Sequence, residues 1–280
     1  MKKYVFLLVS LILFSCTTQD DNISNIESSN QIVSKTTSQV SLVKAWTAYG
    51  NYRGFTAYSK KFTVRVANLN VDKTVSIFQK KIDGSWGEIP LTYQFNIDDQ
   101  NEIWAGEVNN EGFGISQIYD DEFVVKYEVN GNTYWDNNNA ANYAMSIQDG
   151  YFFAQPDLNV SVDTDFSSIS YVPFYDQNSI NITVDVRNLA PQKEVGVIYT
   201  TDGWKTQDYF SLSYRSFWNN GPLFLVQSPN DFGVERWSGN VRVDKTANTI
   251  EYAVVYKVNG QEYWDNNYDK NYTITRRFYN

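Results

Sequence analysis

The stretch VNGNTYWDNN at residues 129–138 returns as VNGQEYWDNN at residues 258–267. An asparagine and a tyrosine close each stretch, Asn142-Tyr143 in the first and Asn271-Tyr272 in the second. In both stretches Asn-Gly supplies the residue types of a two-residue type I′ turn, whose two central residues both adopt positive φ. Each stretch therefore predicts a β-hairpin, and its recurrence indicates two copies of one module.

The similarity between the copies extends well beyond the hairpin. At a constant offset of 120, matching residues are Phe62, Val64, Val66, Asn68, Leu69, Lys73 and Val75 in the first copy and Ile182, Val184, Val186, Asn188, Leu189, Lys193 and Val195 in the second. Each copy runs a little over 100 residues, a usual size for a small domain with its own core. We expect one domain over residues 41–149 and another over residues 155–280.

Strand signals dominate both copies. Residues 61–68 alternate strictly, with Phe62, Val64 and Val66 on one face, and residues 181–186 repeat this pattern. No part of the chain after the N-terminal segment has a helical apolar stripe of useful length. We therefore predict an all-β fold of two tandem immunoglobulin-like antiparallel β-sandwiches.

The predicted turn also fixes which residues of the hairpin face the core. A two-residue loop pairs Tyr127 with Tyr134 and Lys126 with Trp135. The core side of the strand before the turn should consist of Phe123, Val125, Tyr127 and Val129. Because successive side chains point to opposite faces, Trp135 should lie outside the core, and the same count places Trp264 outside the second core.

A tryptophan on the solvent face in two separate copies is a poor core residue and a good binding platform. An indole ring presents a flat apolar surface, and the Asp-Asn-Asn that follows supplies amide donors and acceptors. Sugar rings have an apolar C–H face and a rim of hydroxyls, so this combination suits a carbohydrate. The alternative is that a loop folds back and covers the ring.

The sequence also resembles a known family. The strings FVVKYEV at 123–129 and YWDNNNAANY at 134–143 resemble the end of carbohydrate-binding module family 21, and Asn188-Leu189 with Lys193 and Thr201-Asp202-Gly203-Trp204 resembles its earlier motif. That family includes the starch-binding domain of a fungal glucoamylase and the glycogen-targeting subunits of protein phosphatase 1. The resemblance covers nearly all of both copies. It implies β-sandwiches that bind α-1,4-glucans by stacking aromatic rings on glucose, with an asparagine hydrogen-bonded to a hydroxyl.

By position, the resemblance carries the main site onto Trp86, Trp135 and Asn137 in the first copy and onto Trp204, Trp264 and Asn266 in the second. The asparagines that close the repeated blocks, Asn142 and Asn271, complete the candidate carbohydrate-binding set. A further aromatic residue of the fungal members corresponds to Val124 and Ala253 here. The tyrosine that opens their second glucan surface corresponds to Val71 and Pro191. One binding site per domain is therefore expected.

The composition argues against catalysis. The chain has no histidine and one cysteine, which excludes Ser-His-Asp and Cys-His arrangements and the usual histidine-based zinc sites. A glycosidase could still use two carboxylates, but we interpret Asp136 and Asp265 as turn residues that cap backbone N–H groups. An EF-hand is excluded because Ile147 and Arg276 stand where its twelfth-position glutamate would be. We expect no enzyme activity, no cofactor and no dedicated metal site, with incidental calcium at residues 120–122 as an alternative.

The N-terminus has the composition of an export signal. Lys2 and Lys3 precede an apolar run from Val5 to Phe14, which is followed by Ser15 and Cys16. A spanning helix needs about 20 apolar residues, so residues 1–16 are predicted to be a lipoprotein signal peptide with Cys16 as the lipidated residue of its lipobox. An ordinary signal peptide is the alternative. Residues 17–40 are polar and without apolar periodicity, which is typical of a flexible tether.

The second copy carries an insertion. From Trp86 to Trp104 is 18 positions, whereas from Trp204 to Trp237 is 33, so the second copy has about 15 extra residues. The inserted aromatic residues are Phe217, Trp218 and Phe224. They could extend a glucan platform or pack against the first domain, and the sequence leaves both open.

The net charge of the chain limits the classes of partner that it can bind. A net charge of −9 disfavours nucleic acid and anionic lipid, which require clustered Lys and Arg. We expect an exported lipoprotein, anchored at the outer membrane or cell surface by lipid alone, that captures starch, glycogen or maltooligosaccharides for nearby glycoside hydrolases or glycan transporters. The alternative is a structural or adhesion lipoprotein whose β-sandwich surfaces bind a protein partner.

Overall fold

The part of the chain that the structure describes is built almost entirely from antiparallel strands. This computed structural model describes residues 39–113, 119–219 and 225–277, in which the only helix is a single 3₁₀ turn at Pro173–Tyr175. The predicted signal peptide with Cys16, nearly all of the predicted tether and Phe224 lie outside these residues. The all-β prediction is confirmed for the described part of the chain.

Residues 40–153 form the first sandwich. Its strands are β1 Val40–Tyr52, β2 Phe55–Ala67, β3 Lys73–Lys81, β4 Trp86–Pro90, β5 Thr92–Asn96, β6 Asn101–Phe113, β7 Tyr119–Val129, β8 Asn132–Asp136, β9 Tyr143–Ala144 and β10 Tyr151–Phe153. Sheet A has the order β10-β1-β2-β6-β5. Sheet B has the order β4-β3-β7-β8, and β9 also pairs with β7.

Residues 160–275 form the second sandwich. Its strands are β11 Val160–Val162, β12 Ser168–Val172, β13 Gln177–Arg187, β14 Lys193–Thr200, β15 Asp208–Ser211, β16 Ser213–Arg215, β17 Phe217–Asn219, β18 Leu225–Gln227, β19 Val234–Asp244, β20 Thr249–Val258, β21 Gln261–Asp265 and β22 Tyr272–Thr275. Sheet C has the order β11-β13-β19-β16, and β12 also pairs with β13. Sheet D has the order β15-β14-β20-β21, and β22 also pairs with β20. Sheet D thus repeats the strand order of sheet B.

Each sandwich has one core, formed by the alternate side chains that its strands point between the two sheets. On β2, Phe62, Val64 and Val66 are buried between sheets A and B, as the sequence predicts. Val184 and Val186 on β13 are fully buried between sheets C and D. Fully burying such a side chain contributes roughly 1.5–3 kcal/mol. The described residues contain no cysteine, so core packing stabilises both sandwiches without a disulfide bond.

The predicted hairpin register is confirmed. Tyr127 pairs with Tyr134 and Lys126 with Trp135, while the second hairpin pairs Val255 with Trp264. The turn residues have the positive φ of a type I′ turn, with 53° at both asparagines and 72° at both glycines. The predicted core residues Phe123, Val125, Tyr127 and Val129 are all buried in the first core. Neither repeated tryptophan belongs to a core.

A third hydrophobic cluster joins the two sandwiches. It contains Trp46, Tyr151 and Phe153 from the first sandwich and Trp218, Val226 and Val234 from the second. Strand β10 lies between the two predicted domains and pairs with β1, so the segment that leads to the second sandwich completes sheet A. Of the two roles left open for the insertion, the structure gives Trp218 the second, because its fully buried ring packs against the first sandwich.

A buried ion network supports this junction. The guanidinium of Arg236 donates to both carboxylate oxygens of Asp185 at 3.0 Å and also pairs with Asp163. The indole N–H of Trp218 donates to Asp185 at 2.9 Å, and Arg236 lies 5.4 Å from the Trp218 ring. Arg236 also lies 5.3 Å from the ring of Tyr151 in the first sandwich. Both the apolar and the charged contacts therefore fix one sandwich against the other.

The described residues include no helix that is long and apolar enough to cross a bilayer.

Candidate functional site

The outer face of sheet B carries a continuous aromatic surface. Phe78 on β3 lies opposite Val124 on β7, and both point away from the core because their neighbours Ile77 and Val125 point into it. The Phe78 ring stacks on Trp86, with centroids 5.3 Å apart and planes at 16°.

On its other side Phe78 meets Trp135 edge to face at 5.7 Å. Phe78, Trp86 and Trp135 form what we call the first platform. Val124 is fully buried although it lies on the outer face, because Phe78 and its neighbours cover it. The two tryptophans of the first sandwich that the sequence predicts as site residues are thus bridged by a phenylalanine.

A polar rim borders the first platform. Glu122 lies on the same face as Val124 and binds the ammonium of Lys80 at 3.0 Å. The side-chain amide of Asn142 donates to Glu122 at 2.7 Å. These hydrogen bonds, that of Asn142 first and that of Lys80 next, lower the pKa of the Glu122 carboxyl. Asn142 can therefore still offer its side-chain oxygen to a ligand.

Asn137 and Asn266 both help to close their turns. Asn137 is 96% buried, and its side-chain oxygen accepts the N–H of Ala140 at 3.0 Å. Asn266 accepts the N–H of Asp269 at 3.0 Å, and its amide donates to the Asp269 carboxylate at 2.9 Å. Of the two predicted hydrogen-bonding asparagines, Asn266 is the more accessible one, at intermediate burial.

The carboxylates of Asp136 and Asp265, which precede these asparagines, also fix the turns. Asp136 accepts the N–H of Leu42 at 2.7 Å and the hydroxyl of Tyr143 at 2.9 Å. It also caps Asn138 N–H at 3.3 Å, which confirms its predicted role as a turn residue. Burial, together with the charge of Asp136, raises the pKa of the Tyr143 hydroxyl.

Asp265 repeats this arrangement, accepting the N–H of Val162 at 2.7 Å, the hydroxyl of Tyr272 at 2.8 Å and the N–H of Asn267 at 3.2 Å. Both aspartates thereby tie the end of a platform strand to the facing sheet. Within the described ranges, no group of three or more acidic or cysteine side chains is placed to hold a metal ion, and this includes residues 120–122.

The outer face of sheet D carries a more exposed surface. Trp264 is 48% exposed, Tyr209 is 45% exposed and Trp204 is 36% exposed. Tyr209 lies opposite Ile198, and its ring crosses Gly196, where a Cβ atom would collide with it. Tyr209, Trp204 and Trp264 form what we call the second platform.

Trp204 is held in place by its surroundings. Its indole N–H donates to Glu251 at 2.7 Å, and its backbone N–H donates to the hydroxyl of Thr200 at 3.0 Å. Asp202 caps the same turn through Thr206, and its hydrogen bonds lower the pKa of the Asp202 carboxyl to about 2. Glu251 and Val255, the latter opposite Trp264, are four residues apart on β20. At about 3.3 Å per residue, the second platform therefore extends over roughly 13 Å.

Two platform residues, Phe78 and Tyr209, are not among the site residues predicted from the sequence. Phe78 could be found from alternation, because Val75 and Ile77 face the core and leave Phe78 outside. Tyr209 has no such signal, since the longer connection in the second copy breaks the alignment of its strand with the first copy. Asn271 lies at intermediate burial at the end of its turn, where its backbone N–H donates to Asn266 at 2.7 Å.

The site thus belongs to a class of β-sandwich surfaces that present exposed aromatic rings with a polar rim. Comparison with known proteins agrees. Residues 165–275 match the family described as "Carbohydrate/starch-binding module (family 21)". The C-terminal region of the chain therefore contains a starch-binding module of this family.

Individual relatives include Glucoamylase 1 of Rhizopus oryzae, which is 34% identical over 101 residues, 34% of this chain and 15% of that protein. Protein phosphatase 1 regulatory subunit 3B of Rattus norvegicus is 35% identical over 105 residues, 36% of this chain and 33% of that protein. The chain thus spans a third or less of the length of these relatives.

Among solved structures, the starch-binding domain of Rhizopus oryzae glucoamylase, in complex with beta-cyclodextrin and maltoheptaose, is 28% identical with a TM-score of 0.30. The similarity covers 40% of this chain and 96% of that one.

Proposed function

We propose that the protein captures α-1,4-glucans such as starch, glycogen and maltooligosaccharides on both platforms and performs no catalysis. The observation that carries the proposal is the second platform, where Trp264 and Trp204 lie exposed on the outer face of sheet D within the region that matches the family. Exposing large aromatic rings costs apolar burial, which is offset when a ligand covers them.

The chemistry of the second platform fits a glucose chain. Indole and phenol rings offer flat apolar surfaces to the C–H faces of successive sugars. Glu251, which fixes the Trp204 indole, and Asn266 at the rim supply acceptors and donors for hydroxyls. A surface about 13 Å long would hold several sugar units. The starch-binding domain from Rhizopus oryzae, a relative of this region, has been solved with a linear and a cyclic glucan.

We further propose that residues 41–149 are a second module of the same kind and that the chain carries two sites. Sheets B and D share their strand order, and each places a tryptophan on its outer face at the same position of an identical hairpin. Trp135 is less exposed than Trp264 because Phe78 packs against it, so the first site should bind more weakly. Two sites on one chain can raise apparent affinity for a polymer by about 10² to 10⁴.

Absence of catalysis is part of the proposal. The carboxylates nearest the platforms, Asp136 and Asp265, each accept hydrogen bonds from backbone N–H groups and a tyrosine. A general acid or nucleophile must instead reach the glycosidic oxygen or the anomeric carbon. These two carboxylates are held for the turn and are therefore poor candidates for that chemistry.

For location, we propose an exported lipoprotein anchored through Cys16 at the outer membrane or cell surface. The support is the sequence of residues 1–16 and the polar tether that follows. The net charge of −9 is consistent with a neutral polysaccharide rather than nucleic acid as the partner. Nearby glycoside hydrolases or glycan transporters would use the captured glucan.

The decisive experiment is retention of the full chain on insoluble starch, with variants Trp135→Ala, Trp264→Ala and both together. We expect Trp264→Ala to lose most retention and the double variant to lose it all, with maltoheptaose displacing the wild type. Phe217→Ala is the matched control, since Phe217 is 53% exposed outside both platforms. Retention by the double variant, or a protein partner captured regardless of maltoheptaose, would refute the proposal.

A further inference from the structure

A cleft between the two sandwiches opens beside the second platform. It consists of two adjoining cavities of about 390 and 370 Å³, each within the usual range for small-molecule sites. Trp264 and Asn266 line the larger cavity. We propose that this inter-sandwich cleft is an oligosaccharide-binding groove that receives the end of a neutral glucan chain lying on Trp264. The inference rests on the proposed function and adds a site that neither module has alone.

Both sandwiches contribute walls to the cleft. On sheet A, Phe62 and Val64 face the core, so Thr63 between them faces outward, opposite Ala105 on β6. The opposite wall is β11 with the residues that follow it, including Val162 and Thr164. These residues line both cavities, which makes the two cavities one groove.

The lining chemistry fits a sugar. Apolar groups from Phe95 and Ala105 lie among the hydroxyls of Thr63 and Thr164 and the amides of Gln94 and Asn266. This mixture matches the apolar faces and hydroxyl rims of a hexose chain. A purely apolar partner would displace water from the hydroxyls of Thr63 and Thr164, which costs about 1–3 kcal/mol for each buried group left without a hydrogen bond.

Charge in the cleft favours a neutral ligand, because the ammonium groups that reach it already have partners. Lys44 donates to the hydroxyl of Ser161 at 2.6 Å. Lys61 pairs with Asp165 at 2.7 Å and with Glu107 at 3.5 Å. The lining holds two ammonium groups, those of Lys44 and Lys61, and two carboxylates, those of Asp165 and Asp265, so it has no net charge to attract a phosphate or carboxylate ligand.

Contacts between the two sandwiches fix one end of the cleft. Lys270 donates to the backbone oxygen of Asn96 at 2.9 Å and lies 4.7 Å from the Phe95 ring, while Tyr268 packs on Phe95 at 5.6 Å. These contacts fix the turn that carries Asn266 against β5. A turn fixed before binding spares the ligand part of the ordering cost.

The test compares maltotriose with maltoheptaose by titration calorimetry on the full chain carrying Trp86→Ala and Trp135→Ala, which remove both tryptophans of the first platform. Two further variants change the cleft. Thr164→Trp places a large side chain in it at an exposed position, and Gln94→Ala removes a side-chain amide from its lining. We expect Thr164→Trp to weaken maltoheptaose binding at least about tenfold and Gln94→Ala to weaken it about fivefold, the loss of one hydrogen bond. Maltotriose, which the platform alone can hold, should bind as before.

Thr249→Trp and Gln261→Ala are matched controls at exposed positions outside the cleft. Unchanged maltoheptaose binding in both cleft variants would overturn the groove while leaving the platform intact. Equal weakening of maltotriose and maltoheptaose binding by Thr164→Trp and Gln94→Ala would also overturn the groove. If the proposed function itself is wrong, the result differs: Trp264→Ala then leaves the binding of both sugars unchanged.

Discussion

Trp218→Ala should strongly destabilise the chain, because Trp218 joins the two sandwiches. The indole is fully buried between Tyr151 and Val226 in the junction cluster. Replacing a core tryptophan by alanine costs about 3–5 kcal/mol through lost burial and the cavity left behind. Asp185 loses one hydrogen bond at 2.9 Å but keeps both bonds from Arg236, so no large penalty for an unpaired carboxylate is added.

Differential scanning calorimetry measures the effect. For a chain of this size, 1 kcal/mol shifts Tm by about 2–4 °C, so Trp218→Ala should lower Tm by about 6–20 °C. The neighbouring Phe217 is 53% exposed, and Phe217→Ala should stay within about 2 °C of wild type because surface substitutions usually change stability by less than about 0.5 kcal/mol. Equal melting of the two variants would refute the assignment of Trp218 to a core between the sandwiches.

Three further outcomes are expected. Trp135→Ala should lower Tm more than Trp264→Ala, because Trp135 is less exposed than Trp264, which is 48% exposed; calorimetry of the two variants checks this order. Gly196→Ala should displace the ring of Tyr209 and reduce migration retardation in amylopectin gels, and normal retardation would contradict the proposed platform. Burial lowers the pKa of Lys60 from 10.5 to about 8, so between these pH values the unfolded chain binds more protons and the penalty for burying the charge fades as pH rises. The stability of Lys60→Met relative to wild type should therefore decrease from pH 7 to pH 10, and a constant difference would show that Lys60 does not titrate in this range.

The sequence predicts the hairpins well because their information is local. Asn130-Gly131 sets the turn, the turn sets the register, and the register places Trp135 outside the core. Alternation on β2 likewise identifies Phe62 as a core residue without any knowledge of the facing sheet. In each case the deciding residues lie within a few positions of the feature.

Features that depend on distant contacts are beyond such reasoning. Trp46 and Trp218 meet in the junction cluster although 172 positions separate them. Asn137 is expected at the rim of the platform, yet the N–H of Ala140 engages its side-chain oxygen and the residue is almost fully buried. An exposed and a buried asparagine look identical in a sequence, because the distinction depends on the path of the turn.

The two turns that follow β8 and β21 show which features depend on local sequence and which depend on contacts with distant residues. Their backbones are alike, since Asn142 N–H donates to Asn137 at 2.8 Å and Asn271 N–H donates to Asn266 at 2.7 Å. The exposed positions inside the turns differ.

The first turn has Asn139 and Ala141 where the second has Tyr268 and Lys270, and in the second turn both side chains contact β5 of the first sandwich. Shared residues therefore define the turn, while the divergent ones match what faces each turn. Because Tyr268 and Lys270 contact β5 and the first turn has other residues at their positions, the two sites differ even where their tryptophans correspond. If the proposed function holds, a glucan on the second platform would also meet Phe95 of the first sandwich, which Tyr268 contacts.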